Sequence, residues 1–197
     1  MRRRIGLRGW VCVTLGCISV FAQNPIAPGV KVNSTSPSAT APDERGAFLR
    51  QAIEINAAEI QLGRLALAKT QNPQVREYAE MMIKDHIAGL EKFQKLQPGY
   101  RAGQRGVPPL SAEDEKLKVR LSDLTGEQFD REYMGAMVSG HRDAVTLFER
   151  QANARVAHSQ NKDVAARANA LAKQMLPMLR KHLERAEQVQ RTLLAIS

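Results

Sequence analysis

The chain has 197 residues, with 29 Lys and Arg against 20 Asp and Glu, a formal charge of +9 and two cysteines. Four of the positive charges, Arg2, Arg3, Arg4 and Arg8, precede an apolar run over residues 10–22 that ends in VFA before a polar QN. A basic n-region, a short h-region and a small-residue cleavage site predict a secretory signal peptide, residues 1–22, cut after Ala22. No acidic residue lies in that segment, so the mature charge falls to 9 − 4 = +5. The basic balance is then partly an export signal, and nucleic-acid binding is not expected.

The leader takes Cys12 and Cys17 with it, which excludes a disulfide, a thiol nucleophile and Cys metal ligands from the mature protein. The apolar run is short of the roughly 20 residues a membrane span needs, so the expected location is periplasmic or secreted. Lipidation at Cys17 through TLGC fits less well, because Thr14 stands where Leu is expected. Residues 23–43 open with QNPIAPGVKVNSTSPSATAP, which holds four of the nine prolines and reads as a disordered linker. Residues 44–197 are one domain's worth of chain.

From Asp43, a candidate N-cap, the apolar period is helical and almost never two. The first long helix buries the stripe Phe48, Ala52, Ile55, Glu59, Leu62 and Ala66. Asn72–Pro73 predicts a stop and a restart, cap then Pro in the first turn. The second long helix, to about Leu96, buries Val75, Ala79, Met82, His86, Gly89 or Leu90, and Phe93. QPGYRAGQRGVPPL, residues 97–110, is a connection rather than a helix, and its basic YRAGQRG reads as a solvated loop. Ser111 caps a short helix with Leu117, Leu121 and Leu124 on one face. Thr125 and Gln128 form a capping-box pattern for the third long helix. Its stripe is Phe129 or Asp130, Tyr133, Met137, His141, Ala144, Phe148 and Ala152. After HSQN, 158–161, the fourth carries Val164, Ala168, Leu171, Met175, Met178, His182, Val189 and Leu193, with Pro177 inside it as an expected bend. Four long amphipathic helices with a long connection between the second and third predict an all-α, ferritin-like four-helix bundle in which those two helices run parallel.

One titratable residue occupies a core position on each stripe: Glu59, His86, His141 and His182. Groups of this kind are uncommon in a helical core unless paired or bound to something. In the parallel arrangement they lie roughly 11, 13, 14 and 14 residues from a shared end, a spread of about 4.5 Å. With short loops throughout, the depths become roughly 11, 13, 16 and 21, a spread of about 15 Å. The parallel arrangement therefore gathers one Glu and three His into a layer, a ligand set for a single Cu, Zn, Fe or Mn ion. Met82, Met137 and Met178 each stand four residues before one of these histidines and are candidate auxiliary ligands; Asp130 and Tyr133 are candidate partners that orient an imidazole. Each Met is equally what the neighbouring inward position on a stripe would hold, and Glu59 with the histidines is equally a polar cluster that fixes helix register. His158, at a helix end without a Met partner, reads as solvated or as a helix-dipole partner. No Gly-rich phosphate loop, GxSxG, CxxC or HExxH occurs.

The segments AAEIQLGRLALAKTQNPQVREYAEMMIKDH, LSDLTGEQFDREYMGAMVSGHRDAVTLFE and LPMLRKHL resemble the DUF4142 family of exported bacterial proteins, which is grouped with the ferritin-like superfamily. The resemblance covers residues 44 to 195 and rests on the DH, FDxxY, MVxxH and LPxLxxHL pieces. It implies a ferritin-like four-helix fold and export, and it brings no established activity. Di-iron ferritins carry an ExxH pair on two helices, whereas the residues three before each core histidine here are Ile83, Val138 and Leu179. The expected site is therefore mononuclear. The leading reading is a non-enzymatic helical protein of the cell envelope with no established activity, its Glu/His layer a candidate site for one metal ion. A structural or protein-interaction module and a mononuclear metalloenzyme are the alternatives, with an envelope partner or self-association left open.

Overall fold

The computed structural model describes residues 44–97, 99–101, 106–155 and 162–195. The expected signal peptide, the linker, Asp43 and His158 lie outside them. The described residues hold five helices and no strand: α1 (Glu44–Lys69), α2 (Pro73–Gln94), α3 (Ala112–Ser122), α4 (Gly126–Ala152) and α5 (Lys162–Ala195). The protein is all-α, and no helix among the described residues is long and apolar enough to cross a membrane.

Local chemistry sets most of the boundaries. Asn72 Oδ1 accepts from the N–H groups of Gln74 (2.9 Å) and Val75 (3.3 Å), and Pro73 fills a first-turn position that needs no donor. Ser111 Oγ accepts from the Asp114 N–H at 3.1 Å and donates to Asp114 Oδ2 at 2.6 Å, which closes the start of α3. The expected capping box at Thr125 does not form: Thr125 holds the N-cap position without a side-chain bond. Gly126 is the reason, because its φ of +57° turns the chain into α4 through the left-handed region instead of presenting the hydroxyl to the first turn. Pro177 lies on the exposed face of α5, which runs through it without interruption.

Cross-helix pairs give the directions. Asn56 meets His86 while Gly63 meets Ala79 and Ile83, so α1 and α2 are antiparallel. Arg142–Glu187 and Arg180–Glu149 make α4 and α5 antiparallel. Glu77–Arg185 with Asp85–His182 does the same for α2 and α5, and Thr70–Asp130 with Glu59–His141 for α1 and α4. It follows that α2 and α4 run in the same direction. Between them, Pro108 O accepts from Gln61 Nε2 of α1 at 3.1 Å, and α3 contacts both α1 and α4.

The core is two apolar clusters with a polar layer between them. One is centred on Phe48, Phe93 and Phe148, whose rings meet edge-on at 5.2–5.9 Å. The other holds Val75, Tyr78, Met82, Leu121, Phe129, Tyr133, Met137 and Leu193. On α2, α4 and α5 the boundary falls at one residue each: His86 between Met82 and Leu90, His141 between Met137 and Ala144, His182 between Leu179 and Ala186.

Candidate metal centre

His86, His141 and His182 are 0–1% exposed, and their ring centroids stand 5.8, 5.4 and 5.4 Å apart. Each brings one ring nitrogen within 4.8 Å of the others. Three nitrogens bound to one ion at 2.0–2.1 Å stand about 3.5 Å apart, so shifts of roughly 1 Å bring this triad to ligation distance. Three buried histidines placed in this way can hold a metal ion.

The tautomers follow from the partners. Asn56 Nδ2 donates to Ala52 O at 2.6 Å, which turns Asn56 Oδ1 toward His86, whose Nδ1 lies 3.1 Å away and must donate. His141 Nδ1 stands 2.9 Å from Met137 O, a carbonyl that only accepts. His182 Nε2 stands 2.9 Å from Asp85 Oδ2, likewise an acceptor. Each imidazole thus commits one ring nitrogen as a donor, and His86 Nε2, His141 Nε2 and His182 Nδ1 have no hydrogen-bond partner. A buried ring nitrogen left without a partner costs about 1–3 kcal/mol in a protein core. A metal ion would remove that cost, and the fixed N–H acceptors are the outer partners that orient metal-binding histidines.

Burial, and then the neighbouring histidines, push the His86 imidazole well below its usual range. His182 is lowered to about 4, mainly by burial, with the Asp85 hydrogen bond opposing. Both rings are therefore neutral at pH 7 and have no proton to lose on coordination.

The remaining expected site residues divide. Glu59 does not join the triad. Its Oε1 lies 3.6 Å from His141 Nδ1, on the ring edge already committed to Met137 O, and its Oε2 has no partner. Burial raises the Glu59 carboxyl above the usual range; His141 opposes this and Asp114 adds to it. Met82 and Met137 belong to the Tyr78–Tyr133 cluster, whereas Met178 is half-buried against the Phe48–Phe93–Phe148 cluster. Four residues back leads toward one end on α2 and α4 and toward the other on the antiparallel α5, so the three thioethers do not stand on one side of the layer. Asp130 accepts from Thr70 Oγ1 and orients no imidazole. The Tyr133 hydroxyl, buried, has no partner, and its ring stacks on Phe129 at 5.8 Å.

Three groups at the layer escaped the sequence reading: Asn56, Asp85 and Tyr78. The Tyr78 ring lies 6.4 Å from that of His141, and its hydroxyl is a further buried polar group without a partner. For Asp85 a signal existed, since it precedes His86 in MIKDH, but one residue is about 100° of helix, and that turn points it at α5.

A comparison with curated proteins found no match. Among solved structures, the chain is similar to a DUF305 fragment from Deinococcus radiodurans, with a TM-score of 0.60 and 21% identity over 77% of this chain and 98% of that one. At that identity the likeness concerns the fold alone. The sequence model of a domain of unknown function, DUF4142, matches residues 31–189, and the chain therefore belongs to the DUF4142 family.

Proposed function

We propose that this chain is an exported, ferritin-like four-helix bundle of the cell envelope that binds one transition-metal ion through His86 Nε2, His141 Nε2 and His182 Nδ1. The carrying observation is that three mutually facing imidazoles each have one nitrogen tied to a fixed acceptor and the other left without a partner. The antiparallel neighbours and the parallel α2 and α4 support the ferritin-like topology, and the leader pattern of residues 1–22 supports export. Neutral imidazoles suit Zn, Cu and Fe, and no thiol competes for the ion. With Ile83, Val138 and Leu179 where ExxH carboxylates would stand, the site takes one ion and not a pair. Three donors are one fewer than a closed tetrahedral site uses, so binding is the property to test before turnover.

The test is metal analysis of the exported protein, followed by titration of the metal-free form with Cu2+, Zn2+, Fe2+ and Mn2+. One equivalent should bind and raise the melting temperature, and His86→Gln, His141→Gln and His182→Gln should each abolish stoichiometric binding while keeping the helical circular dichroism. No bound metal and no thermal shift with any of the four ions would overturn the proposal.

A further inference from the structure

Glu59 stands outside the triad, and what surrounds it gives it a different task. A groove of about 260 Å3 lies between α1, α3 and α4, and Glu59 from α1 with Met137 and Gly140 from α4 are among the residues that line it. Among the described residues that line it are three carboxylates, Glu54 and Glu59 from α1 and Asp114 from α3, and no Lys or Arg. Exposure falls along this series: Glu54 is exposed, Asp114 half-buried, and the Glu59 side chain 8% exposed. Glu59 Oε2 has no hydrogen-bond partner, and Oε1 lies 3.6 Å from the His141 ring. A Cβ at Gly140 would come within 3.8 Å of Oε1, so the missing side chain keeps that wall of the groove open beside the carboxylate.

We propose that this groove is the entry route by which a hydrated divalent cation reaches the histidine layer, Glu54 and Asp114 drawing it in and Glu59 replacing part of its water shell. The inference rests on the metal-binding reading above. A cation entering an apolar core must shed water, and a carboxylate one ring away from the final ligands replaces hydration before the imidazoles take over. Carboxylates in a cleft with low-dielectric walls also raise the local cation concentration, an effect that salt suppresses.

The experiment mixes the metal-free exported protein rapidly with Cu2+ and follows the quenching of tyrosine fluorescence. The lone Trp is Trp10, in the leader, and Tyr78 and Tyr133 flank the layer. Glu54→Gln and Asp114→Asn together should slow loading about tenfold at low ionic strength, with the difference closing at high salt. Glu54→Gln alone, which leaves the Ser111–Asp114 cap intact, should show a smaller effect of the same salt dependence. Gly140→Val should slow loading equally at all salt concentrations, since it narrows the groove without altering charge.

Wild-type loading rates in all of these variants would overturn the route while leaving the site itself standing. Loss of the bound equivalent in Glu59→Gln, in place of slower loading, would make Glu59 a ligand and overturn the route as well. Failure of the wild-type protein to bind Cu2+, the strongest binder of the divalent series, would overturn the metal site and the route with it.

Discussion

Asp85 and Asn56 determine how two of the imidazoles stand, and neither is visible in an apolar stripe. Asn in a helix interior reads as a solvent-facing or capping residue. Here it is 2% exposed, bonded to Ala52 O on one side and His86 on the other. The histidines were legible because a titratable residue at a core position is uncommon, whereas the repeat of the methionines along the sequence reverses direction between antiparallel helices and so does not set the three thioethers on one side of the layer. Asp85→Asn keeps an acceptor beside His182 but removes its charge, and should weaken metal affinity about 10- to 100-fold in a chelator competition. Met178→Leu, which conserves volume on the far side of the layer, should leave affinity within about twofold and stability within about 1.5 kcal/mol. An equal loss of affinity in both variants would remove the distinction drawn between them.

At the scale of the elements, α1 and α2 approach closely because glycines stand where they touch. A Cβ at Gly63 would sit 2.9 Å from Ile83 Cγ1 and 3.2 Å from Ala79 O. One at Gly89 would collide with Asn56 Oδ1 and lie 3.0 Å from Met175 Cε. Gly89→Ala should therefore cost about 1–3 kcal/mol in urea denaturation, against the ordinary gain from adding Ala to a helix, and should weaken metal binding by displacing the acceptor of His86. Unchanged binding in that variant would mean that Asn56 does not orient the ring. Ser111→Ala should cost about 1 kcal/mol, felt as faster amide exchange in α3, since Asp114 loses its cap. Helix starts were legible where a side chain makes them, at Asn72 and Ser111. At Thr125 the backbone of Gly126 makes the start, and a side-chain pattern could not reveal it.

Across the whole molecule, directions and depths came from counting residues, because helix rise is fixed and Asn72–Pro73 marks an end sharply. Counting could place Glu59 in the layer but not say which edge of the His141 ring it faces, since that depends on side-chain direction and on the Met137 carbonyl. The layer makes the metal-free protein sensitive to acid, with a sign that follows from the shifts. An unfolded histidine takes a proton near the ordinary value of 6.5, while folded His182 resists until about 4 and folded His86 is also held well below 6.5. The unfolded state therefore binds more protons in that window. Stability is fully present above about pH 6.5, is lost as the pH falls toward about 4, and changes no further from this source below it. His182 alone contributes about 3 kcal/mol, while Glu59, whose carboxyl is raised, works the opposite way and offsets part of the loss as the pH falls. The melting temperature of the metal-free protein should accordingly drop between pH 7 and pH 5, and His182→Gln should flatten the drop. An equally steep drop in His182→Gln would place the acid sensitivity outside the histidine layer.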